Sequence, residues 1–139
     1  MDEKGKSKTR EIDMFDYKKG DIIMINQLDK PLNGETVATM KTNMGEIKIK
    51  LFPEYAPNAV ENFIGLAEMD YYDELIFHRI IEGFMSQGGD PKGDGTGGNS
   101  IWGQDFALET SPYLYHVTGA VAYAHAQNGG NGRQFYIEN

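Results

Sequence analysis

The sequence predicts a mostly β domain, a barrel or sandwich with one covering helix, and three observations carry that expectation. Seventeen of the 139 residues are glycine, which suits turn-rich, strand-rich architecture better than a helix bundle. Several short segments rich in β-branched and aromatic residues are punctuated by glycine-rich stretches. Only one segment spaces its apolar residues as a helix does.

The first clear element is a hairpin. VATMKT, starting at Val37, is followed by a turn at Asn43-Met44-Gly45 and then by EIKIKLF. Ile47, Ile49 and Leu51 alternate with Glu46, Lys48 and Lys50, so one face is core and the other is wet. Pro57 then stands where a first helical residue tolerates the missing N–H. Ala56, Val60, Phe63, Ile64 and Ala67 recur at helical spacing and predict an amphipathic helix of about three to four turns. LIFHRII, FMSQGG, GAVAYAHA and RQFYI read as strands, and GDPKGDGTGGNS reads as a flexible surface loop. At the N-terminus, Met1 to about Arg10 has the composition of a disordered arm. The apolar content rises from Phe15 to Leu32, and the IIMI run at Ile22 to Ile25 suits a strand or turn packed on the main domain.

Composition narrows the chemistry. A formal net charge of -8 argues against nucleic acid as a partner, because such binding rests on Lys and Arg neutralising phosphates. With no cysteine there is neither a disulfide nor a thiolate nucleophile. No stretch reaches the roughly 20 apolar residues of a membrane-spanning helix, and the charged N-terminus has no signal-like run, so a cytoplasmic location is the default expectation. The three histidines, His78, His116 and His125, fit no metal motif, and a structural or surface role is expected for His116. The stretch from Asp90 imitates a calcium loop, but Lys92 and Ile101 occupy ligand positions. Ser86 and Ser100 lie outside any nucleophile elbow, and neither GDGTGG nor Gly5-Lys6-Ser7 has the context of a phosphate cradle. No metal and no cofactor are therefore expected.

Read together, FHRIIEGFMSQGGDPKGDGTGGNSIWG from Phe77 to Gly103 and GAVAYAHAQNGGNGRQFYI from Gly119 to Ile137 resemble the two signature blocks of the cyclophilin family of peptidyl-prolyl cis-trans isomerases, in a bacterial-like form. APNAVENF resembles the start of that family's first helix. The resemblance runs over residues 37–139, leaving residues 1–36 as a partly disordered N-terminal extension. It implies a cyclophilin-like antiparallel eight-stranded β-barrel with capping helices and an outer peptide groove. The family's catalytic arginine falls on Arg79 and its neighbouring groove histidine on His78. The proline pocket falls on Phe84, Met85 and Tyr136, and the peptide contacts on Gln87, Gln134 and the Ala124-His125 pair. His125 and Arg133 depart from the family pattern, where Asn and a small residue are common; both bear on peptide preference.

The resemblance also implies that the chain stops at Glu138-Asn139 before a segment that supplies a Trp-Leu pair, a further groove histidine, a second helix and the closing strands. A C-terminally truncated form with open sheet edges is the expectation that follows. The partners implied are proline-containing peptides and unfolded protein clients, with cyclosporin-like cyclic peptides as inhibitors. Two other readings stand beside the isomerase: a non-catalytic proline-peptide-binding module, and a chaperone-like holder of unfolded chains.

Overall fold

The computed structural model describes residues 6–10, 27–125 and 131–139. Its elements follow in the order β1 (Lys6–Arg10), β2 (Val37–Thr42), β3 (Gly45–Lys50), α1 (Pro57–Glu68), β4 (Phe77–Ile81), β5 (Met85–Gly88), β6 (Val121–His125) and β7 (Asn131–Glu138). They form two antiparallel sheets, β1-β2-β3 and β4-β5-β7-β6. Among the described residues both sheets are open, whereas the resemblance implies a closed eight-stranded barrel.

The predicted hairpin forms where the alternation places it, but Ile47, on the face read as core, is exposed. Thr42 pairs with Gly45 across the turn, and the Thr42 hydroxyl donates to the Gly45 carbonyl at 2.8 Å while accepting from the Met44 N–H at 3.1 Å. Gly45 has φ +131°, a conformation that L side chains rarely adopt. Ala38, Met40 and Ile49 turn into the core, and Leu51 packs against it. Lys6–Arg10, inside the stretch whose composition suits a disordered arm, pairs antiparallel with β2 from Lys6↔Lys41 to Arg10↔Val37. Such pairing uses backbone groups, which composition does not register. The IIMI run lies outside the described residues.

Helix α1 starts at Pro57 as expected, but Ala56 gives it no side-chain cap. The cap comes from far along the chain: the Glu109 carboxylate accepts the N–H groups of Asn58 (3.1 Å) and Ala59 (2.6 Å). Those donors have no partner within the helix, and a carboxylate suits the positive end of its dipole. The buried stripe is Val60, Asn62, Phe63, Leu66 and Ala67. Phe63 meets Tyr72 and Phe135 with ring centroids 5.4 and 5.9 Å apart, and Phe135 also meets Tyr72 and Phe77 edge-on at 5.5 and 6.2 Å. These rings join α1, the turn after it, β4 and β7 in one core.

Three polar groups enter that core and are satisfied there. The fully buried Asn62 side chain donates to the Tyr123 hydroxyl (3.0 Å) and the Gly132 carbonyl (2.8 Å), and its Oδ1 accepts from the Ile101 N–H (2.8 Å). The Tyr123 hydroxyl in turn donates to the Ala59 carbonyl (3.1 Å), and the Tyr72 hydroxyl donates to the Arg133 carbonyl (3.0 Å). Burial pushes both phenols above their ordinary pKa, which keeps them neutral donors.

Removing the Asn62 amide strands several buried donors and acceptors at once. Asn62→Ala is expected to cost at least about 2 kcal/mol, since each unsatisfied buried group costs about 1–3 kcal/mol. Urea unfolding should show a lower midpoint in Asn62→Ala, with the exposed Asn58→Ala as control. Equal midpoints would remove this network from the stability of the fold.

Candidate active-site groove

The second sheet presents one face to the core and one outward, and a β-bulge decides which side chains reach the outer face. Phe77 pairs with Gly88 but Arg79 pairs with Gln87, so two steps along β4 match one along β5 and His78 is the extra residue. Without the bulge, Phe77 and Arg79 would share a face. With it, Phe77 packs on Phe135 in the core while Arg79 turns outward.

From Arg79 the register runs across the whole sheet: Arg79↔Gln87, Gln87↔Tyr136 and Tyr136↔Ala122. Antiparallel partners share a face, so these four side chains form one outward row. One step along lies a second row, Ile81↔Met85↔Glu138. Arg79 is exposed, and no ion pair claims its guanidinium among the described residues. Met85 is buried and Tyr136 half-buried, which places two of the three predicted apolar pocket residues on neighbouring positions of one face. Phe84, the third, stands in the β4–β5 turn at the end of this face and is exposed.

Gln134 lies two residues before Tyr136 and so on the same face. Its Oε1 accepts from Gln87 Nε2 at 2.8 Å, and its Nε2 donates to the carbonyls of Gly95 (3.0 Å) and Gly97 (2.9 Å). Of the two glutamines assigned to peptide contacts, Gln134 is thus tied to the protein itself. Its partners belong to the glycine-rich segment, which composition suggested was a loose surface loop. That segment is wound about Asp90, whose carboxylate accepts the N–H groups of Lys92 (2.8 Å), Asp94 (3.1 Å) and Gly95 (2.5 Å). The side-chain oxygens that imitate a calcium ligand face the chain's own N–H groups. Gly97 passes so close to this carboxylate that a Cβ there would collide with it.

Between this loop and the sheet opens a cleft of about 330 Å³. Gln87, Gln134, Ala124 and His125 line it as members of the predicted set, and Thr96, Asn99 and Asp105 join them without having been anticipated. The last three sit in irregular chain, where no periodicity marks a side chain's direction. His78, at the bulge, faces the same loop: a Cβ at Gly95 would stand 3.6 Å from its Nε2, and its buried Nδ1 has no hydrogen-bond partner among the described residues. His116, expected to be structural or superficial, lies parallel to the Tyr136 ring with centroids 6.3 Å apart and bonds Glu138 at 2.7 Å. Burial first, and the Glu138 carboxylate second, push the Tyr136 phenol above its ordinary pKa, so the ring is neutral and apolar at working pH.

Fold and site together define an antiparallel β protein whose outer sheet face carries an exposed arginine beside an apolar patch and a polar cleft. The family model "Cyclophilin type peptidyl-prolyl cis-trans isomerase/CLD" matches residues 37–139. The chain belongs to this cyclophilin-type family. It is 55% identical over 101 residues to peptidyl-prolyl cis-trans isomerase 9 of Schizosaccharomyces pombe, covering 72% of this chain and 17% of that one. It is 51% identical over 100 residues to human peptidyl-prolyl cis-trans isomerase-like 3, covering 71% and 62%. A crystal structure of a Cryptosporidium parvum cyclophilin-type isomerase, determined in the presence of the dipeptide Ala-Pro, superposes with a TM-score of 0.70 at 41% identity. That match covers 73% of this chain and 66% of the other. The chain thus spans less than two thirds of the length of these two curated relatives.

The Asp90 loop predicts an acid response. Burial pushes the Asp90 carboxyl up, but the N–H groups of Lys92, Gly95, Gly97 and Asp94 outweigh that and hold it below its ordinary value. A carboxylate depressed in the folded state stabilises it above the unfolded value of about 3.9, and that contribution disappears as pH falls through the lower folded value. Urea midpoints followed from pH 6 to pH 2 should fall more steeply for the unsubstituted chain than for Asp90→Asn, which should already be weaker at pH 6. Parallel curves would mean the loop does not depend on the charge.

Proposed function

We propose that this chain accelerates rotation about Xaa-Pro peptide bonds, with Arg79 as the catalytic donor. The observation that carries the reading is the outward row Arg79–Gln87–Tyr136, which sits inside the family match. Rotation about the bond is opposed by amide resonance, a barrier of about 18–20 kcal/mol. No covalent bond has to break. In the twisted transition state the prolyl nitrogen regains a lone pair, and a donor aimed at it binds that state more strongly than the planar one. Guanidinium suits the task because it stays charged and offers donors in a fixed plane, with no capacity to act as a base at neutral pH.

In this reading Met85, Tyr136 and Phe84 hold the proline ring, and Gln87 orients the peptide beside it. Ala124 and His125, at the cleft, take the residues that precede proline, while His78 and Gln134 support the loop that walls the cleft. The substrates are proline-containing peptides and unfolded proteins, and cyclosporin-like cyclic peptides are the inhibitors to try. An eight-stranded barrel as the full architecture belongs to the same proposal, supported by the superposition on a cyclophilin-type isomerase.

Arg79→Ala is expected to lower kcat/KM for a short Xaa-Pro peptide by about 100-fold or more, the scale of losing one transition-state donor. Peptide affinity, read by titration, should change little, and Arg79→Lys should recover only part of the loss. Undiminished turnover in Arg79→Ala would sink the mechanism; binding without turnover in the unsubstituted chain would favour a peptide-binding module.

A further inference from the structure

His116 occupies a place that the mechanism above does not use. Its imidazole lies parallel to the Tyr136 ring, within 8°, at a centroid separation of 6.3 Å. That lies within the range of interacting aromatic pairs. Nδ1 meets Glu138 Oε1 at 2.7 Å, and Glu138 stands two residues after Tyr136 on the same sheet face. The imidazole is therefore held at two points, by a ring and by a carboxylate, both on β7. His116 makes both contacts although it is largely exposed, with 65% of its side chain open.

The loop that carries it is anchored from elsewhere in the chain. Gln27 Nε2 donates to the Tyr115 carbonyl at 2.7 Å, and the Tyr115 N–H donates back to Gln27 Oε1 at 2.8 Å. This two-point clamp grips the residue next to His116. Gln27 precedes the family match by ten positions, and the segment is tied down again where Lys50 Nζ donates to the Asp29 carbonyl at 3.2 Å. A chain of contacts thus runs from Gln27 through Tyr115 and His116 to Tyr136.

We propose that His116 is a positioning residue for the proline subsite, holding the Tyr136 ring in place, and that Gln27 sets its position from outside the family domain. The inference rests on the reading of Tyr136 as part of that subsite. An aromatic side chain beside an exposed edge otherwise samples several orientations about χ1 and χ2. A parallel ring anchored to Glu138 restricts it to the one that presents its face to an incoming prolyl ring. The effect belongs to ground-state and transition-state binding alike, because both contain the same ring, so it appears in KM and not in kcat.

The test is steady-state isomerisation of a short Xaa-Pro peptide by the unsubstituted chain, His116→Ala, His116→Phe, Gln27→Ala and the Gln27→Ala/His116→Ala pair. His116→Ala should raise KM about two- to tenfold, the scale of one aromatic pair, with kcat nearly unchanged. His116→Phe, which keeps a ring but not the bond to Glu138, should restore part of the affinity. Gln27→Ala should raise KM in the same direction and add little in the His116→Ala background, as coupled sites do. Unchanged KM in His116→Ala overturns the inference while leaving the isomerase reading intact. So does an equal rise in His116→Phe, additivity of the Gln27 and His116 changes, or a fall in kcat matched by a fall in thermal stability. Absence of both turnover and peptide binding in the unsubstituted chain overturns the isomerase reading and this inference with it.

Discussion

A single buried amide holds the elements in register. Asn62 lies on the core side of α1, where an apolar residue would be unremarkable, and bonds the Tyr123 hydroxyl on β6, the Gly132 carbonyl on β7 and the Ile101 N–H in the loop beyond β5. Each of those groups is directional, so the helix can sit on the sheet in only one position along its axis. Hydrophobic contact among Phe63, Tyr72 and Phe135 supplies attraction but tolerates sliding, whereas three hydrogen bonds in a low-dielectric core do not. Because Gly132 and Tyr123 belong to the two strands that carry Gln134, Tyr136, Ala122 and Ala124, fixing them fixes the outer face as well.

The outer face depends in turn on parity. A strand reverses its facing with every residue, and one inserted residue exchanges the two faces from that point on. At His78 the insertion lets Phe77 serve the core and Arg79 serve the groove, although two residues apart they would otherwise point the same way. Placing a guanidinium outward beside a partly buried aromatic therefore needs no strained side chain; it needs one unpaired backbone position. The same device leaves the His78 ring against the glycine loop, next to the carbonyl ladder that Gln134 organises.

Much of this was legible from residues alone. The hairpin, the start of α1 and all four later strands follow from period-two and period-3.6 patterns, and the shared facing of Arg79 with Ile81 and of Met85 with Gln87 follows from strand geometry. What was not legible has a common cause: it lies in contacts between segments far apart in sequence. Nothing near Asn62 marks it as a core residue, because amides are ordinarily exposed and only its distant partners explain its burial. Glu109 reads as a surface acid until it meets the end of α1, 50 residues away. The glycine-rich loop reads as loose because glycine count reports freedom, not the carboxylate at Asp90 that removes it. His116 and Asp105 sit in irregular chain with no period to orient them. The family resemblance placed Arg79, Gln87 and Tyr136 near one another, but the register and the bulge show how.

The division of labour at the groove has an energetic logic. Gln134 spends its hydrogen-bonding groups on Gln87, Gly95 and Gly97, so the cleft wall and the Gln87 amide are aligned with one another before any ligand arrives. Preorganisation of this kind matters more for rotation about an amide than for most reactions, because the chemical change is small and the transition state differs from the ground state mainly in geometry. A flexible site would follow the twisting bond and stabilise every angle equally, which accelerates nothing. A rigid apolar wall that fixes the ring, set against a donor aimed at one nitrogen, favours one angle over the others. Under the proposed function, the polar ties behind the groove belong to the discrimination between planar and twisted amide, even though none of them touches the bond that turns.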